Sequence, residues 1–114
     1  DALMSGDAKI ASAALEKAKR DGVQGPQLLS LLSRQVRLFL IAAEALHTGK
    51  DAAAVASAAG AHPYAAKKAL AAVRKYRVEE LMHRQSQLLD VEREFKQGSG
   101  DIEVGLLLMA ARRT

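Results

Sequence analysis

The chain has 114 residues, 49% of them hydrophobic, 26% charged and 4% aromatic, with a formal net charge of +4 and no cysteine. That length suits one domain able to bury roughly two thirds of its unfolded surface, and so high an apolar content with so small a net charge excludes a disordered chain. The lack of cysteine excludes disulfides, thiolate zinc sites and cysteine nucleophiles, while two prolines, few aromatics and abundant alanine and leucine favour helix over strand.

Asp1-Ala2-Leu3-Met4 reads as the last turn of a helix stopped by Ser5-Gly6, and the chain as a piece cut from a longer protein. Asp7 is placed to cap the next helix, where Ile10, Ala14, Leu15 and Ala18 recur at helical spacing. Lys17, Lys19 and Arg20 fall in its closing turns, where cations suit the helix dipole, and Gly22 ends it. Pro26 suits the first position of a long helix running to about His47. In it Leu28, Leu29, Leu32, Val36, Phe39, Leu40, Ala43 and Leu46 form one wide apolar stripe. Leu31, Leu38 and Ile41 fall off the stripe, so this helix needs cover on more than one side.

Asp51 can start a short helix through Ala59, and Pro63 the next, to about Tyr76. Arg77 and Val78 read as a joint. Glu79-Glu80 suit the opening turn of a helix that continues to Gln97 before Gly98, with Leu81, Leu88, Val91 and Phe95 as its core face. Ser99-Gly100-Asp101 caps a last helix that contains LLLMAA and ends in Arg112-Arg113. Its run of Leu106, Leu107, Leu108 and Met109 cannot all face one core, so some of these side chains require a neighbour. No apolar run is long enough to cross a bilayer, and no signal-peptide pattern opens the chain, which leads to the expectation of a soluble, cytoplasmic domain.

The stretch AVASAAGAHPYAAKKALAAVRKY, residues 54–76, has the small residues and central glycine of a helix-turn-helix pair. Ala66, Ala69, Leu70 and Val73 make the buried face of its second helix, turning Lys67, Lys68, Ala71, Arg74 and Lys75 outward. A DNA reader would set such a face on the phosphates, but His62, Pro63, Tyr64, Lys67 and Lys68 at the leading end include none of the Gln, Asn or Arg most used on base edges. The ordinary reading is a packing unit with a solvated basic side. The alternative is a helix-turn-helix DNA-binding domain using the basic face of residues 63–76, with Lys67, Lys68, Arg74 and Lys75 on phosphate.

With its neighbours, the stretch carries a family resemblance that covers nearly the whole chain. ALMSGD at 2–7, LLSLLSRQVRLFL at 28–40, AAGAHPYAAKKAL at 58–70 and LLDVEREFKQG at 88–98, followed by GLLLMA, occur in the order and spacing of one known domain. Arg34-Gln35 and the series His62-Pro63-Tyr64…Lys67-Lys68 are its most specific parts. The chain resembles the C-terminal domain of the DNA polymerase III delta subunit, the bacterial clamp-loader component that opens the sliding clamp. It departs from the family in having alanines at 65 and 66, where larger aliphatics are usual.

The resemblance implies an all-α fold, a compact bundle of about six helices containing the helix-turn-helix-like pair, over a single domain at residues 1–114. It also implies a collar role, in which the C-terminal domains of five subunits associate in a ring. The ATPase-like domains that precede it in the family, the first of which engages the clamp, lie outside these residues. The implied partners are the collar domains of delta prime and gamma/tau, with DNA and the sliding clamp met only through the full complex. The delta subunit is implied not to hydrolyse ATP, and no Gly-x-x-x-x-Gly-Lys-Ser/Thr loop occurs in the chain. The expectation is a noncatalytic oligomerisation domain with no cofactor and no membrane partner, whose candidate interface is Leu106, Leu107, Leu108, Met109, Arg34 and Gln35.

Other chemistry finds little support. His47, His62 and His83 lack metal-ligand spacing, and each has an ordinary reading: a closing helical turn, a turn before proline, and an exposed position. Glu79 and Glu80 point apart, Glu92 and Glu94 lie on different faces, and no serine has a nucleophile-elbow context. Arg34, within so apolar a helix, is expected in a buried or half-buried ion pair, with Glu92 as a possible partner.

Overall fold

The structure, a computed structural model, describes residues 8–111. Six α-helices follow one another: α1 (Ala8–Arg20), α2 (Gly25–Thr48), α3 (Ala52–Ala59), α4 (Pro63–Ala72), α5 (Val78–Lys96) and α6 (Ile102–Ala111). A short 3-10 turn, Val73–Lys75, follows α4, and no strand occurs among the described residues, so the fold is all-α. The readings at residues 1–6, at Asp7 and at Arg112-Arg113, and those of the side chains of Ile10 and Ala14, lie outside the described residues.

Local chemistry sets the helix limits. Asp51 caps α3 by accepting a hydrogen bond at Oδ1 from the Ala54 N–H, 3.0 Å away. Asp101 does the same for α6, accepting from the Val104 N–H at 3.2 Å. Gly60 ends α3 in the left-handed region, φ 65° and ψ 34°, a conformation that costs an L side chain about 1–2 kcal/mol. Pro63 opens α4, and the preceding His62 caps it through Nδ1, which accepts from the Tyr64 N–H at 3.0 Å. The helix expected to reach Tyr76 stops at Ala72 and tightens, the Tyr76 N–H donating to the Val73 carbonyl at 3.0 Å before the chain turns extended.

The chain divides into two units, one taking residues up to Ser33 and from His83 onward, the other Arg34–Met82, with α2 and α5 contributing to both. In the first unit Leu15, Leu29, Leu32, Leu88, Val91, Ile102, Leu106 and Met109 are buried. α1 packs on α6 there. Gly25 meets Ile102 so closely that a Cβ at 25 would stand 3.3 Å from the Ile102 Cβ.

In the second unit α3 packs against α4 through Val55, Ala56, Ala66 and Ala69, and the Phe39 and Tyr76 rings lie 5.6 Å apart between centroids. On α2 the expected stripe is buried at Leu29, Leu32, Val36 and Phe39, and the buried side turns away from it only toward the end of the helix. Leu38, Ala42 and Ala45 are buried, whereas Ala43 is half-buried and Leu46 exposed. Small alanines on the inner side permit a closer helix approach than Leu46 would. Leu31 is exposed, in keeping with its place off the stripe.

On α5 the expected core residues Leu81, Leu88 and Val91 are buried, but Phe95, in the last turn, is exposed. A cation occupies the same stripe: Arg84 is only 5% exposed.

Candidate functional site

α6 reads IEVGLLLMAA and is apolar on two opposite sides. At about 100° per residue, Ile102, Leu106 and Met109 share one stripe, and Val104, Leu107 and Leu108 another roughly half a turn away. The first stripe is core. The second is in water, with Val104 54%, Leu107 38% and Leu108 50% exposed.

Four contacts within the first unit set this orientation. Gly105 lies against α5 so tightly that a Cβ there would come within 3.0 Å of both Cγ atoms of Val91. Lys19 of α1 pairs with Glu103 at 3.3 Å, and Ile102 meets Gly25 at the start of α2. The buried Arg84 donates from Nη1 to the Met109 carbonyl and, at 3.1 Å, to Gln87 Oε1. Its signal in the sequence is positional, since 81, 84, 88 and 91 lie on one helical stripe; its charge argued against burial.

Beside the outward stripe is a groove of about 170 Å³, lined by Gln87, Asp90, Val91 and Glu94 of α5 and by Gly105, Leu108 and Met109 of α6. Asp90 is engaged by Arg93 at 2.6 Å. Of the four consecutive candidates in α6, then, Leu106 and Met109 serve the core of their own unit, while Leu107 and Leu108 join Val104 on the outer stripe.

Arg34 and Gln35 belong to α2 in the second unit. Arg34 is exposed, where a buried or half-buried ion pair was expected, and Gln35 is half-buried. Glu92 is paired instead with Lys96 at 3.1 Å, one turn along α5. The α2 backbone therefore carries its arginine head in water, as a long side chain on an apolar helix can.

Lys67, Lys68, Arg74 and Lys75 are all exposed, with Ala66, Ala69 and Val73 buried behind them. Tyr64 stands at the head of this face, and Lys68 Nζ lies 5.4 Å from its ring centroid. His47 is exposed in the last turn of α2. His83 differs from its expected exposed state: it is half-buried, and its Nε2 is buried with no hydrogen-bond partner. Among the described residues no group of three or more His, Asp or Glu side chains is arranged to hold a metal, and no helix is long and apolar enough to cross a membrane.

No match was found among curated proteins or among solved structures. The family model of the DNA polymerase III delta subunit, C-terminal domain, matches residues 1–112, almost the whole length, and includes the capped α3–α4 pair and both stripes of α6. The chain belongs to this family, and so is a clamp-loader delta C-terminal domain of DNA replication.

Proposed function

We propose that the chain is a noncatalytic assembly module, the collar domain through which the delta subunit associates with the collar domains of delta prime and gamma/tau. The observation that carries this reading is the second apolar stripe of α6. Val104, Leu107 and Leu108 stand in water on a helix whose opposite side already fills its own core. Burying side chains of this size is worth about 1.5–3 kcal/mol each when burial is complete, so covering this stripe supplies a driving force for association. Arg34, exposed on α2, is a further candidate contact with its neighbour Gln35.

The reading places this chain after ATPase-like domains in a longer subunit and leaves DNA and the sliding clamp to the complete complex. Mixed with the C-terminal domains of those partner subunits, the chain is expected to elute with them as one species from a sizing column. Persistent separate elution rejects the assignment.

A further inference from the structure

The chain is basic as a whole, at +4, but one stretch of it is acidic. Residues 85–111 hold five acidic side chains, Asp90, Glu92, Glu94, Asp101 and Glu103, against two basic ones, Arg93 and Lys96. Four of the five acids already have a partner. Arg93 pairs with Asp90 at 2.6 Å, Lys96 with Glu92 at 3.1 Å and Lys19 with Glu103 at 3.3 Å, while Asp101 accepts from the Val104 N–H as the cap of α6. The carboxylate left over, that of Glu94, is exposed and forms no salt bridge among the described residues.

Glu94 lines the groove between α5 and α6. At about 100° per residue, Gln87, Asp90 and Glu94 fall within about a sixth of the circumference of α5, with the two carboxylates one turn apart. The rest of the lining is apolar: Val91, Leu108, Met109 and the bare backbone of Gly105. The loop after α5 positions Glu94. Its backbone carbonyl accepts from the Ser99 N–H at 3.0 Å, and a Cβ at Gly100 would stand 3.0 Å from the Glu94 Cβ and 3.4 Å from its Oε2. The glycine thus leaves room for the carboxylate beside the loop. Leu108 belongs both to this groove and to the outer stripe of α6, so the two surfaces are continuous.

We propose that this groove receives a basic side chain, arginine or lysine, from the subunit that covers the outer stripe of α6. Its methylene stem lies on Leu108 and Met109, and its cationic head meets Glu94, with Asp90 adding a second negative charge one turn away. An apolar segment in the same place leaves Glu94 enclosed without a counter-charge, and an acidic one is repelled; both are costly once water is excluded. The groove therefore selects among apolar partner surfaces by charge. This role rests on the assembly reading and adds to it the chemistry of the partner.

The test measures binding of the 114-residue chain to full-length delta prime and to full-length gamma/tau by titration calorimetry. Val104→Glu with Leu107→Glu changes the stripe without altering the groove lining, and the subunit that loses binding to this variant is the one that covers the stripe. For that subunit Glu94→Gln, which keeps the side-chain length and removes the charge, is expected to raise Kd about thirtyfold, and Glu94→Lys to abolish binding. The control, Glu16→Gln on α1, makes the same change in net charge at an exposed position outside the groove and is expected to leave Kd unchanged. Both Glu94 variants are expected to keep the wild-type circular dichroism spectrum and urea midpoint, since the position is exposed. A stripe-dependent complex that Glu94→Gln leaves unchanged or tightens overturns the proposal but not the assembly reading, as does an equal loss from Glu16→Gln. Absence of binding to either subunit, or binding that the stripe variant does not weaken, rejects both.

Discussion

Arg84 of α5 donates a hydrogen bond from Nη1 to the backbone carbonyl of Met109, so a buried cation closes the final turns of α6. That carbonyl is among the last four of the helix, which have no partner within it, and the negative end of the helix dipole favours a cation there. The same guanidinium holds Gln87 Oε1. The bond helps to fix the rotation of α6 about its axis, and with it the stripe that faces outward.

Arg84→Ala leaves the Met109 carbonyl without this donor and removes a buried side chain. A loss of about 2–3 kcal/mol in unfolding free energy is expected by urea titration. Arg84→Met keeps much of the packing but not the donor, and is expected to recover only part of that loss.

Gly105→Ala tests the close approach of α6 to α5. Alanine improves helix propensity by about 1 kcal/mol, but its Cβ meets both Cγ atoms of Val91 at 3.0 Å, and valine is stiff about χ1. Overpacking of this kind costs about 1–3 kcal/mol, so the net change expected in urea denaturation is a modest destabilisation. Val91→Ala in the same chain is expected to make the Gly105 substitution neutral or favourable, a coupling that a double-mutant cycle measures.

Much of this local structure was legible in the sequence because it depends on short-range chemistry. Asp51, Asp101 and Pro63 start helices where their side chains or ring require it, and the sequence of α6 already demanded two apolar sides. What escaped depends on tertiary contact. Arg84 lay on the core stripe, but its charge suggested water until a carbonyl from another helix was there to receive it. Phe95 was expected inside on its type and spacing, yet in the last turn of α5 it is exposed. The inner side of α2 passes through Ala42 and Ala45 instead of Ala43 and Leu46, a rotation that periodicity alone does not decide when nearly every position is apolar. Of the candidate interface, the sequence identified the helix but not which of its four consecutive apolar residues point outward.

The α3–α4 turn gives two independent substitutions. Asp51→Ala removes the α3 cap and is expected to cost about 1 kcal/mol, whereas Asp51→Asn retains an acceptor and costs less. Gly60→Ala meets no atom within 4 Å, so its expected cost of about 1–2 kcal/mol comes from the left-handed backbone alone. Urea midpoints with unchanged m-values check both.

The most direct measurement is co-elution of the chain with the C-terminal domains of delta prime and gamma/tau, before and after Leu107→Glu with Leu108→Glu. Both positions are exposed, so the variant is expected to keep the wild-type circular dichroism spectrum and urea midpoint. The expected result is a complex for the wild-type chain and separate elution for the folded variant. A folded variant that enters the complex as readily as the wild type contradicts the assignment of the outer face of α6 to assembly.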